Sequence, residues 1–318
     1  MYDVVLFLMM YVISFHLVMN GDDWFMVWLG LEINMMMFIM IMYKRYSMLN
    51  IESCLKYFFI QSLGSAMFMS MFYIESEFMD LVMCLILSYK IGAGPFFYWF
   101  PSVCSGISWM SCFVLMSFQK IIPLILISVF ISWIVLIIVL ISLVVGVFGS
   151  FNQKELKQLI AYSSIYHLGW IFLCVIIDDL SWISYLVVYM ILIFPVIFFV
   201  DYMNMLSIND ISMLSSKWTM IVLMLSMAGM PPFLGFFLKW YVFMKIMGLG
   251  IMYMMILIIS SVVMFYIYFR VIYDVLLENF IKSSWENWVV SSSMQITLDV
   301  MSWMGMLLGV IVGIWVLF

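Results

Sequence analysis

Apolar residues in this chain come in long unbroken runs, and the polar residues are gathered into short gaps between them. A helix needs about 20 consecutive apolar residues to cross a membrane. Eleven runs of that kind are read, at roughly 2–20, 24–43, 54–74, 78–100, 108–129, 131–149, 157–177, 181–200, 218–246, 251–273 and 296–318. The sixth begins almost directly after the fifth. Glycine and proline interrupt the fourth, at "KIGAGPFF", and the ninth, at "AGMPPFLGFFLKW". The longest polar segment, 274–295, contains "ENFIKSSWENWVV" and is expected as an amphipathic surface stretch. The pattern predicts an all-α polytopic membrane protein of about eleven transmembrane helices.

Composition sharpens this. Of 318 residues, 68% are hydrophobic and 9% charged, where a globular domain has about a quarter charged. That excludes a separate aqueous domain. Cys54, Cys84, Cys104, Cys112 and Cys174 form no Cys-x-x-Cys pair, so neither a zinc nor an iron–sulfur site is suggested. Cys104 and Cys112 read as small packing residues. Neither a Gly-rich phosphate loop nor a dinucleotide fingerprint occurs. No basic region precedes the first apolar run, which is expected as a span and not a cleaved signal. The 36 methionines crowd positions where isoleucine or leucine would serve, as in "INMMMFIMIM". A genetic code that reads an isoleucine codon as methionine, as animal mitochondria do, would produce that bias.

Charge gives an orientation. If the spans alternate, Lys44, Arg45, Lys56, Lys154, Lys157, Lys217, Arg270 and Lys282 gather on the side of the N-terminus. Asp22, Asp23, Glu75, Glu77, Asp80, Asp178 and Asp179 gather on the other. By the positive-inside rule the first side faces the compartment of synthesis. Spans one to five (1–130) and six to ten (131–273) then form two groups of five, followed by the surface segment and last helix (274–318). In each group the fourth member is the interrupted one. An odd number of helices per group gives two repeats of inverted topology, and paired broken helices point to an ion or substrate path.

Four charges fall well inside spans. Glu32 lies in "WLGLEINMM", Lys90 beside the first interruption, Lys120 in "SFQKIIPLI" and Lys239 one turn past Gly235. A charge near a helix centre costs about 2.5–3.5 kcal/mol on the insertion scale, so such residues face a bundle interior or water. Lys56 and Lys245 lie near span ends, where snorkelling accounts for them. Lys90 and Lys120 are about 18 Å from an end at 1.5 Å per residue, too far to snorkel well. Burial weakens a lysine's hold on its proton, and a carboxylate nearby restores it. At about 4 Å the pair is worth roughly 4 kcal/mol at an effective dielectric of 20, a factor of about a thousand in proton affinity. Making and breaking such a pair is what a proton relay requires. Glu32 also fits a purely structural partner for a lysine. His167, with Ser163 and Ser164 one turn before it, fits either a hydrogen-bonded link between lysines or a packing histidine, and His16 is a weaker candidate.

The stretches "DDWFMVWLGLEINMMMF", "ESCLKYFFIQSLGSAM", "SYKIGAGPFFYWFP", "SFQKIIP", "FNQKELKQLIAYSSIYHLGW" and "AGMPPFLGFFLKW" occur in the order found in one family. The chain resembles the subunit 2 family of mitochondrial NADH dehydrogenase, the antiporter-like membrane subunits of respiratory complex I. The resemblance runs from about residue 22 to 245. It implies a fourteen-helix fold shortened by three N-terminal helices, in the mitochondrial inner membrane, with the N-terminus in the matrix and the C-terminus in the intermembrane space. It implies a proton-translocating role in NADH:ubiquinone oxidoreductase, with Glu32, Lys90, Lys120 and Lys239 matching the family's intramembrane charges and His167 and Lys56 as lesser members. It implies that NADH, flavin (FMN), iron–sulfur clusters and ubiquinone are handled by other subunits and that this chain binds no cofactor. The implied partners are neighbouring membrane-arm subunits and lipid, and no nucleic acid. Phe97 stands where the family often has histidine, and Leu238 where it has proline, so no relay role is placed at 97. Two other readings share the pattern: a cation/proton antiporter subunit of Mrp type, and a structural spacer without transport.

Overall fold

The computed structural model describes residues 2–21, 23–45, 47–73, 78–177, 180–208, 217–248 and 251–281. The expected eleventh span at 296–318 and the surface segment beyond residue 281 lie outside the described residues. Among the described residues the secondary structure is helical, apart from one isolated bridge between Glu155 and Ser207. The chain forms two compact units. One is Met1–Gly146 with Ser164–Ile176, and the other is Val147–Ser163 with Ile177–Phe318.

The first unit begins with α1 (Tyr2–Met19), α2 (Trp24–Met42) and α3 (Met48–Met71). The fourth apolar run becomes α4 (Met79–Ile91), a 3-10 turn at Gly94–Phe96 and α5 (Trp99–Gly106). The fifth becomes α6 (Trp109–Met116), a 3-10 turn at Phe118–Lys120 and α7 (Ile121–Val129). Most of α8 (Ile134–Ser150) and the second half of α9 (Leu156–Ile177) complete the unit. The second unit contains the first half of α9, α10 (Ser181–Tyr202), α11 (Lys217–Ala228), α12 (Leu234–Ile246) and α13 (Ile251–Ile281). Among the described residues six helical stretches are long and apolar enough to cross a membrane, and three apolar helices are shorter. Leu6, Met9, Phe59, Val144, Ile191 and Ile259 are exposed, as side chains facing hydrocarbon would be.

Helix α3 starts at Met48, earlier than the apolar run at 54, because Asn50 gives that polar start a buried anchor. Its Oδ1 accepts from the Lys44 amide at 2.7 Å, and its Nδ2 donates to the Met42 carbonyl at 3.1 Å and the Gly106 carbonyl at 3.4 Å. One side chain thus ties the ends of α2 and α5 to the start of α3. Asn50→Ala leaves those groups unmet and is expected to destabilise the unit by about 2–3 kcal/mol. A lowered unfolding midpoint in a detergent melt checks this.

The interruptions at the fourth and ninth runs share one geometry. Gly92 (φ 75°) follows α4 in the left-handed region, which costs glycine nothing. The Gly92 and Ala93 amides both donate to the Ser88 carbonyl at 3.0 Å. Gly229 (φ 82°) follows α11 in the same way, and the Gly229 and Met230 amides donate to the Leu225 carbonyl at 3.1 and 3.3 Å. Both are six-to-one glycine caps that end a helix in mid-run. A third interruption, at Ser117–Lys120, is not foreshadowed by glycine. Pro123 supplies no amide for the Gln119 carbonyl and its ring crowds that carbonyl, so the helix gives way one turn earlier.

Candidate functional site

The polar interior of the first unit is built on α3. Tyr57, Gln61, Gly64 and Ser65 fall on successive turns of one face. A Cβ on Gly64 would lie 2.7 Å from Lys90 Cγ, so only glycine lets the Lys90 stem lie against α3. Gln61 Nε2 donates to the Lys90 carbonyl at 2.7 Å, meeting a group in the last turn of α4. Ser65 Oγ donates to Glu32 Oε1, one residue along α3 from the glycine against which the Lys90 stem lies. Glu32 on α2 and Lys90 on α4 thus meet adjacent positions of α3. Lys56 pairs with Glu52 at 2.7 Å, with the two side chains 46% and 60% exposed. That surface pair contributes little.

Lys90 and Lys120 are 4% and 2% exposed. Both line one cavity of about 20 Å³, together with Asn34, Tyr57, Gln61 and Gln119. The volume suits roughly one water, and the lining offers it several polar partners. Gln119 Nε2 is buried there and makes no hydrogen bond to protein. Lys120 sits where α6 yields to α7, and its ammonium lies 5.3 Å from the centre of the Phe100 ring, within cation–π range. It also donates to the Ser164 carbonyl on α9 at 3.4 Å. His167, three residues further along α9, is buried with Ser163 and Ser164. Lys120 therefore meets the polar stretch that carries His167. His16 is paired with the Asn20 amide at 3.1 Å on an exposed face of α1.

In the second unit Lys239 is 7% exposed. Its ammonium donates to the carbonyl of Ala228, the last residue of α11, at 2.8 Å. A cation at a helix C-terminus is favoured by the backbone dipoles. Gly229 and Gly235 allow the approach. A Cβ on Gly229 would lie 3.0 Å from Lys239 Nζ, and one on Gly235 would lie 2.0 Å from the Ser226 carbonyl oxygen. Gln61, Gly64, Ser65, Asn34 and Tyr57 were not singled out as site residues from sequence. For the four on α3 the signal is the one-turn spacing of small and polar residues in "YFFIQSLGS". Among the described residues no three His, Cys, Asp or Glu side chains gather as a metal ion would require.

Apolar helices of membrane length, with buried lysines at helix interruptions, define a polytopic membrane protein with a polar interior. Residues 71–265 match the family described as NADH:quinone oxidoreductase/Mrp antiporter, transmembrane. NADH-ubiquinone oxidoreductase chain 2 of Anopheles gambiae is 33% identical over 299 residues, 88% of each chain. The Locusta migratoria protein of that name is 32% identical over 316 residues, 93% of this chain and 92% of the other. A chain of respiratory complex I from Thermus thermophilus superposes with a TM-score of 0.82 at 20% identity, over 99% of this chain and 80% of that one. A chain of the Mrp complex from Dietzia sp. gives 0.70 at 14% identity, over 86% and 59%. The two solved structures establish the fold. The chain belongs to the NADH-ubiquinone oxidoreductase chain 2 family, within the antiporter-like membrane family.

Proposed function

We propose that this chain translocates protons in the membrane arm of NADH:ubiquinone oxidoreductase, through Glu32, Lys90 and Lys120 in its first unit and Lys239 in its second. The observation that carries the reading is the cavity that Lys90 and Lys120 share, with room for about one water. A water there links the two lysines through the polar lining they share. Glu32 holds a proton on Lys90 by its charge and, when protonated itself, releases that hold. Protonation at one group then changes the affinity of the next, as coupled sites do. The Gln61 and Ser65 side chains fix the pieces, and His167 is the exit from Lys120 along α9. NADH, flavin, iron–sulfur and ubiquinone chemistry belong to other subunits, and neighbouring membrane-arm subunits are the partners.

The architecture of this reading is eleven spans in the mitochondrial inner membrane, with inverted repeats at 1–130 and 131–273 and a final segment at 274–318. The matching glycine caps after α4 and α11 support the repeats. The separation of basic from acidic loops supports a matrix N-terminus and an intermembrane-space C-terminus. Glu32→Gln keeps the shape and an acceptor for Ser65 and removes only the charge. It is expected to slow proton uptake into proteoliposomes several-fold with the complex fully assembled. Unchanged pumping would make Glu32 a structural partner and favour the spacer reading.

A further inference from the structure

We propose that a pocket in the second unit, lined by Lys154 and Arg270, binds the phosphate-bearing headgroup of a membrane lipid. The pocket measures about 210 Å³, far more than one water needs, and Ser150, Gln153 and Phe151 complete its polar and apolar walls. Arg270 is anchored through its side chain and Lys154 through its main chain. Arg270 Nη1 donates to the Phe151 carbonyl at 3.1 Å, and the planar guanidinium carries four more N–H groups. Lys154 is fixed through its carbonyl, which accepts from the Ile208 amide at 3.0 Å, beside the Leu156 amide that donates to Leu206 at 3.2 Å. Gln153 is pinned by its bond to the Gly149 carbonyl at 2.8 Å.

Lys154 and Lys157 flank the N-terminus of α9, the end of a helix that favours negative charge and disfavours cations. Glu155 lies between the two in sequence. A phosphodiester offers the oxygens that an arginine fork and a lysine recognise together. The rim favours a lipid over a free ion. Phe151 stacks on Tyr266, with ring centres 6.1 Å apart and planes 25° apart. Phe148, Phe269 and Tyr273 are also exposed, and they extend an aromatic and apolar surface from the pocket along α8 and α13. Acyl chains lie on that surface while the headgroup sits among the cations, at the basic side of the membrane.

The intact complex, washed in detergent and analysed for retained phospholipid by mass spectrometry, tests this. Lys154→Gln with Arg270→Gln is expected to retain about one phospholipid fewer per complex. Adding anionic phospholipid micelles refills the wild type and not the double variant. Equal counts in wild type and double variant would overturn the proposal. So would loss of the lipid from the wild type in the presence of inorganic phosphate, which would assign the pocket to the free ion.

Discussion

Gly235→Ala is expected to reduce the stability of the second unit by about 3 kcal/mol and to deplete assembled complex. The added Cβ would stand 2.0 Å from the Ser226 carbonyl oxygen and 3.2 Å from Gly229 Cα. Both atoms are backbone, so no side chain can rotate away. The first turn of α12 has to move off the last turns of α11, and forced overpacking of this kind costs about 1–3 kcal/mol or more. The same shift pulls the Ala228 carbonyl from Lys239, leaving a buried ammonium without that acceptor. Thermal unfolding of the purified complex and its yield on native gels read the effect. Wild-type values for both would show that the close approach of α11 and α12 is not required.

Lys120→Met is expected to cut proton pumping at least about tenfold while leaving assembly intact. Methionine is close to lysine in volume, is unbranched and needs no solvation. It packs against Phe100 as the lysine stem does, and it removes a buried charge whose desolvation opposes folding. What is lost is the titratable group between the shared cavity and the Ser164 carbonyl. Removing a group that takes and gives a proton typically costs two to four orders of magnitude in the step it serves. Pumping is read as acidification of dye-loaded proteoliposomes after NADH addition, with assembly read on native gels. A variant that assembles and pumps at the wild-type rate would leave Lys120 a packing residue.

Helix positions and the glycine interruptions were legible because each has a local cause: apolar runs for the helices, and glycine at left-handed positions for the caps at Gly92 and Gly229. The buried lysines were legible because charge in an apolar run is costly wherever it sits. The break before Lys120 was not. It depends on Pro123 together with the backbone turn of Ser117 (φ −115°, ψ −82°), and proline alone also permits a bent, continuous helix: Pro195 lies inside α10 without ending it. The partners of the charges were hidden for another reason. Gln61, Gly64 and Ser65 lower the hydropathy of their run only slightly, and which α3 face meets Lys90 is set by packing between helices far apart in sequence. Asn50 was read as part of a polar gap because its three backbone partners come from α2, the following turn and α5.

On the proposed path Lys90 and Lys120 act in series through the cavity they share. A double-mutant cycle tests it most directly. Pumping is measured in proteoliposomes for wild type, Lys90→Met, Lys120→Met and the pair, with assembly verified for each. Serial action predicts that the double variant pumps no more slowly than the slower single variant, because either change already blocks the same path. Losses that multiply in the double variant, each lysine contributing independently of the other, would contradict it.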